Sequence, residues 1–327
     1  MGADPVQAAI GEYSARHEDL FRAGQQFVRL VTGILDEAGI NYLSVTGRTK
    51  SVASFAAKAA RTVDGRPAFP DPVRDITDQL GVRVITYVHS DVTAVADLLA
   101  DQVIVKDDRD LGQETASEGR FGYASRHLLI ALDPARESDP AYADLRGRVA
   151  QVQVRTVLQH AWAEFEHDIR YKGTVPPEHA RDLDRRFTLA AGLLELADEE
   201  FEAIRERLRG TTTEPEETAP DDPRIDPGEL AAFLAGQYAD AGWSRTDHYA
   251  WISGLLLELG ITSLHELADV VRGSGEDLNA RMGYRYPPGA VRRLDDALLA
   301  TYGERYIALH GNAHRVDLLR ARLEKLR

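Results

Sequence analysis

The stretch that most limits what this chain can fold into is RVAQVQVRTVLQHAWAEFEHDIRYKG, from Arg148 to Gly173. From Val149 to Arg155 apolar residues alternate with polar ones at period two, the pattern of a strand with one wet face, so Gln151, Gln153 and Arg155 point the same way. At Thr156, a residue suited to capping, the period becomes helical: Leu158, Ala161, Trp162, Phe165 and Ile169 form an apolar stripe, with His160, Glu164, His167 and Tyr171 on the same turns. A polar strand face feeding directly into such a helix can floor an α/β pocket, although an ordinary amphipathic strand-helix unit has the same pattern. Trp162 and Phe165 read as core. His160 and His167, seven apart with no further clear ligand, read as structural rather than zinc-binding.

The chain has 327 residues, room for one large domain or two ordinary ones. Without cysteine it has no disulfide, zinc-thiolate site or cysteine nucleophile. No apolar run approaches membrane-spanning length and MGADPVQAAIGEYS lacks a charged-then-apolar leader, so the expectation is a cytoplasmic protein with no membrane partner. A net charge of −14 argues against a broad electrostatic grip on nucleic acid. Yet Arg48, Lys50, Lys58, Arg61, Arg83, Arg120, Arg126 and Arg155 fall in the segments assigned to the pocket, which suggests a small polyanion as ligand.

Along the chain, residues 6–38 read as one or two helices and Asn41–Thr46 as a short strand running into Gly47. A helix from about Ser51 would carry Lys50, Ser54 and Lys58, spaced by four, on one face. DPVRDITDQL reads as a short helix ended by Gly81, followed by a strand over Gly81–Val88 that Asp78 precedes and from which Arg83 projects. A helix capped around Ser90, a strand Val103–Lys106, and a strand Gly122–Ala131 with Tyr123, Ser125 and His127 on one face come next. Residues 178–210 read as a long amphipathic helix. The fold expected is therefore α+β: a mixed sheet of about five strands flanked by helices over residues 1–210. Residues 211–226, acidic and proline-bearing, read as a linker, and 227–327 as a small all-α domain.

The segments GRTKSVASFAAK, DITDQLGVRV, GYASRH and QVQVRT with QHAWAEFEHDIRYK, in that order, resemble the synthetase domain of the RelA/SpoT alarmone synthetases over roughly residues 20–200. No hydrolase-type or TGS segment precedes them, so the chain is similar to the small stand-alone members. The resemblance implies a nucleotidyltransferase-like fold and transfer of the β,γ-pyrophosphate of ATP to the 3′-hydroxyl of GDP or GTP with Mg²⁺. It implies that Arg48 and Arg83 sandwich adenine, a stacking suited to guanidinium planes, and that Lys50, Ser54 and Lys58 hold the ATP phosphates. Asp78 falls on the magnesium carboxylate, and Tyr123 on the tyrosine that stacks on guanine. His127, Gln153 and Arg155 fall on the acceptor side.

Two positions depart from the family pattern. Gln151 stands where the family has a glutamate that ligates metal or takes the proton of the attacking hydroxyl; an amide hydrogen-bonds but is no base. Glu164, or a carboxylate among Asp107 and Asp108, is the expected helper of Gln151. The usual lysine before the tyrosine falls on Gly119, with Arg120 as its partial replacement. An active synthetase, a nucleotide-binding regulator without turnover, and a toxin-like enzyme acting on the tRNA 3′ end thus stay open, as do tRNA and a second copy of the chain as partners.

Overall fold

The computed structural model describes residues 5–112, 125–136, 140–172, 177–209, 223–238, 241, 244–273, 278–284 and 288–326. The chain forms two compact units, Met1–Ile34 with Leu43–Glu199, and Leu35–Tyr42 with Glu200–Arg327. Of the expected linker, residues 211–222 lie outside the described residues.

The first unit is built on a mixed five-stranded sheet in the order β1-β4-β7-β6-β5. Its strands are β1 (Ser44–Thr49), β4 (Leu80–Thr86), β5 (Ile104–Asp110), β6 (Arg126–Ala131) and β7 (Val149–Thr156), and β2 (Thr62–Val63) and β3 (Arg66–Pro67) form a separate ribbon. Only β4 and β7 run parallel; the other pairings are antiparallel. The sheet and its flanking helices are the α+β architecture expected from the sequence.

Alternation sorts the two faces. Val82, Val84, Leu128, Ile130, Val152 and Val154 are buried together with Val92, Val95, Ala96 and Leu99 of helix α5 (His89–Gln102). The opposite face carries Arg48, Arg83, His127, Gln151, Gln153 and Arg155 and is only partly buried. Helix α2 (His17–Ala38) buries Leu20, Ala23, Phe27, Leu30, Val31 and Ile34 at helical spacing. It approaches β1 closely at Gly47, where a Cβ would collide with Val28 Cγ2. Gly47→Ala is therefore expected to push α2 off the strand that carries Arg48 and to cost about 1–3 kcal/mol of stability, read from chemical denaturation.

Ser125, expected in a strand over Gly122–Ala131, precedes β6, and three further boundary differences bear on the site. β1 begins at Ser44 and continues through Gly47 to Thr49, because Gly47, Arg48 and Thr49 pair with Val82, Gly81 and Leu80. The helix after Pro70 (α4, Pro72–Asp75) is a single turn; Ile76 is extended and fully buried, and the Gln79 side-chain amide donates to the Val73 and Ile76 carbonyls at 2.6 and 2.9 Å. β5 runs on through Asp107–Asp110 as an edge strand with an irregularity between Val105 and Asp107, so these charges belong to the sheet.

Beyond the sheet, helices α6 (Val157–Lys172) and α7 (Pro177–Arg209) follow β7. Thr156 caps α6, accepting from Gln159 N at 3.1 Å and donating to buried Asp198 at 2.6 Å. Trp162 is buried against Phe187 and Ala191, whereas Phe165, expected in the core, is 54% exposed at the edge of that cluster.

In the second unit every described regular element is helical. Helices over Pro227–Gln237, Thr246–Leu259, Leu264–Gly273 and Ala290–Tyr302, with Val316–Leu326, enclose a leucine-rich core. Residues 35–42 join it: Ser244 Oγ donates to Gly39 O at 2.8 Å and Gly289 N to Ala38 O at 3.0 Å. Two adjacent carboxylates, Asp295 and Asp296, lie buried among Arg292, Arg315 and Arg322.

Candidate active site

Register assembles the polar face of the sheet. Arg83 pairs with Thr46 on one side and Gln153 on the other, Gln153 with His127, and His127 with Arg109. One step along, Gly81 pairs with both Arg48 and Gln151. Having no side chain there, Gly81 leaves a cleft of about 210 Å³ between them, whose lining includes Arg48, Asp78, Arg83, Gln151 and Gln153.

Asp78 sits in the turn between α4 and β4. Lys50 Nζ lies 3.0 Å from its Oδ2 and Lys58 Nζ 3.1 Å from its Oδ1. Burial pushes the Asp78 carboxyl up, but its hydrogen bonds to the two ammonium groups outweigh that and hold it below the usual carboxylate range. It is a carboxylate at any physiological pH.

Lys50 is not on the helix that the spacing suggested. It follows β1, with Ser51 capping α3 (Val52–Ala59), and Lys58 lies in the last turn. The Lys50 carbonyl accepts from Tyr13 Oη at 2.6 Å and from His17 Nε2 at 3.2 Å, and Tyr13 stacks on Phe55 with ring centroids 4.0 Å apart. Ser54 bonds within the cap: its hydroxyl meets Ser51 Oγ at 2.9 Å, and its backbone N–H donates to the same oxygen.

On the other side of the cleft, Arg83 pairs with Glu164 of α6 at 3.0 Å, and His160 Nδ1 lies 3.8 Å from the same carboxylate. Burial, then Arg83, depresses the His160 ring. Arg155 Nη2 donates to Gln153 Oε1 at 3.0 Å, while its buried Nε has no hydrogen-bond partner among the described residues. Burial, then Arg83, pushes the Arg155 guanidinium down to about 10, so it remains a cation whose charge is poorly compensated. His127 contacts Ser125 Oγ through Nε2 at 2.7 Å and Gln151 Nε2 through Nδ1 at 3.3 Å.

Of the residues singled out in the sequence, Arg48, Asp78, Arg83, Gln151 and Gln153 share one cleft. Lys50 and Lys58 meet at Asp78, His127 at Gln151, and Arg155 at Gln153. Glu164, expected beside Gln151, instead engages Arg83, because the carboxylate of α6 lies over β4. Arg120 and Tyr123 lie outside the described residues. Tyr13, His17, Gln79 and Arg109 were missed: they act on backbone carbonyls or through strand register, and no spacing within a motif marks them.

The arrangement can bind a polyanion against guanidinium and ammonium groups while keeping one ionised carboxylate beside it. Among the described residues no group of three or more His, Asp or Glu side chains is placed to hold a metal ion. A divalent ion here would meet one carboxylate and draw its other ligands from phosphate oxygens and water, as suits magnesium.

Residues 47–175, which include every lining residue of the cleft except Thr46, match the family model described as the region found in RelA / SpoT proteins. The chain is 30% identical over 166 residues to the GTP pyrophosphokinase YjbM of Bacillus subtilis (strain 168), covering 49% of this chain and 71% of that protein. Among solved structures it is similar to small alarmone synthetase 1 of Bacillus subtilis (24% identity, 61% of this chain and 99% of that one, TM-score 0.48). It is also similar to a GTP pyrophosphokinase family protein of Streptococcus pneumoniae (22% identity, 61% and 96%, TM-score 0.46). With the sequence match spanning the strands and helices that build the cleft, the chain belongs to the RelA/SpoT family of alarmone synthetases.

Proposed function

We propose that this chain transfers the β,γ-pyrophosphate of ATP to the 3′-hydroxyl of GDP or GTP, making (p)ppGpp. The observation that carries the reading is the convergence of Arg48, Arg83, Asp78 and Gln151 on one cleft, with Lys50 and Lys58 held on Asp78 at its edge. Family membership supplies the reaction class.

In this reading Arg48 and Arg83 take the adenine between them, their planar guanidinium groups stacking on the base. Lys50 and Lys58 turn from the carboxylate to the triphosphate when ATP enters. Asp78 would hold Mg²⁺, which when bound neutralises charge on the β- and γ-phosphates. The ionised, lysine-flanked carboxylate fits that ion. Arg155, half-buried with its Nε unpartnered among the described residues, and Gln153 beside it lie on the acceptor side with His127 and, by the family pattern, Tyr123 and Arg120. Transfer of this kind depends largely on positioning and charge stabilisation, which a cleft lined by fixed cations provides.

The test is an acceptor screen: purified protein, ATP labelled in the γ-phosphate, Mg²⁺, and GDP, GTP, AMP or tRNA, with products separated by chromatography. Label is expected on GDP and GTP. Label on tRNA alone would replace the acceptor, and nucleotide binding with no transfer to any acceptor would replace the enzyme with a nucleotide-binding regulator.

A further inference from the structure

We propose that in this chain His127 takes the proton from the attacking 3′-hydroxyl, with Gln151 and Ser125 orienting its ring. The inference rests on the pyrophosphotransferase reading above. It assigns a step that no other described residue of the cleft is left to take, since Gln151 is an amide, Glu164 is engaged with Arg83, and Asp78 is given to the metal in that reading.

The geometry is that of an imidazole with two neutral partners. Nε2 lies 2.7 Å from Ser125 Oγ and Nδ1 3.3 Å from Gln151 Nε2. If the amide donates to Nδ1, that nitrogen bears the lone pair and Nε2–H points to the serine. Neither hydrogen-bond partner is a carboxylate that would stabilise an imidazolium. Among the described residues, the charged groups that reach the ring are Arg155 from β7 and Arg109 from β5, both cations. Burial, with those two arginines, pushes the ring down to about 4. His127 thus offers a neutral nitrogen from the strand adjoining position 151, where the family has a carboxylate.

Gln151 lines the cleft, and its contact with Nδ1 is the longer of the two. Nδ1 is therefore the nitrogen that an incoming hydroxyl can reach by displacing the amide. In the step, the 3′-oxygen forms a bond to the β-phosphorus of ATP. The bond from that phosphorus to the oxygen shared with the α-phosphorus breaks, and AMP leaves with that oxygen and the bonding pair. The hydroxyl proton passes to Nδ1 and from there to water, a release that the two neighbouring arginines favour.

Three variants test this by single-turnover transfer, with affinity for a non-hydrolysable ATP analogue measured in parallel. His127→Asn keeps a hydrogen-bonding partner for Gln151 but accepts no proton; transfer is expected to fall by about 10²–10⁴-fold with analogue binding unchanged. Gln151→Glu in the His127→Asn background returns a base to the neighbouring strand and is expected to recover at least about tenfold of that loss. A purely structural histidine would not be rescued in this way. Nitrogen NMR of the wild-type protein at pH 6.5 is expected to show His127 neutral with Nδ1 unprotonated, and Gln151→Glu alone should raise its titration midpoint. Unchanged transfer in His127→Asn, or a protonated Nδ1 in the wild-type protein, overturns the proposal while leaving the pyrophosphotransferase reading intact. Absence of transfer by the wild-type protein overturns both.

Discussion

Asp78→Asn is expected to lower pyrophosphate transfer by about 10²–10³-fold or more, the range seen when one preorganised electrostatic contact to a transition state is removed. The substitution keeps size and hydrogen-bonding capacity but removes the one carboxylate that lines the cleft among the described residues. It also releases Lys50 and Lys58 from ion pairs of 3.0 and 3.1 Å. These pairs are partly solvated, so the stability loss should stay within about 1 kcal/mol. Because the folded-state carboxyl lies below its usual range, this contribution is present above about pH 4 and fades as pH falls through the lowered value. Binding of a non-hydrolysable ATP analogue separates the causes. In the wild-type protein Mg²⁺ should strengthen it; in Asp78→Asn the Mg²⁺ dependence should shrink while metal-free binding is equal or tighter, one negative charge having left the phosphate site. An unchanged Mg²⁺ response would remove Asp78 from the metal site.

Asp295→Ala should destabilise the helical unit by about 3–5 kcal/mol, the cost of leaving the largely buried Arg315 without its carboxylate partner and Arg322 with Asp296 alone. The Asp295 carboxylate is 2% exposed and accepts from Arg315 at 2.8 and 2.6 Å, from Arg322 at 2.6 Å, and from the Tyr306 hydroxyl. Burial pushes this carboxyl up, but Arg322 and Arg315 more than offset it and hold it far below the ordinary range. Its stabilisation is complete above about pH 4 and is lost only as pH falls below that, through the depressed folded-state value. Arg315 also stacks over Trp251, 4.4 Å from the ring centroid, so urea unfolding followed by tryptophan fluorescence reports on this network directly. A loss under 1 kcal/mol would mean that water reaches the released arginines.

Most of the frame was legible in the sequence because burial imposes a period. The valines of β7 alternate with Gln151, Gln153 and Arg155, and the switch to helical spacing falls at Thr156, whose hydroxyl caps α6. β4 showed itself through its β-branched run. What escaped were features set by partners distant in sequence. Gly47 and Arg48 read as the end of a strand, yet they continue it because Val82 and Gly81 lie opposite. The strand was expected to stop at Lys106, yet it runs on through Asp107–Asp110 because an edge strand tolerates charge on its open side. The spacing of Lys50, Ser54 and Lys58 suggested one helical face; Lys50 and Lys58 meet instead because both reach Asp78, and Ser54 belongs to the helix cap. Glu164 was matched to Gln151 by chemistry, but the position of α6 gave it to Arg83.

The central claim is that this cleft moves a pyrophosphate rather than a single phosphate. It is tested most directly by following ATP, Mg²⁺ and GDP with the purified protein by phosphorus NMR. AMP and a guanosine 3′-diphosphate product are expected to appear in equal amounts. Formation of ADP, or no change in either nucleotide, would contradict it.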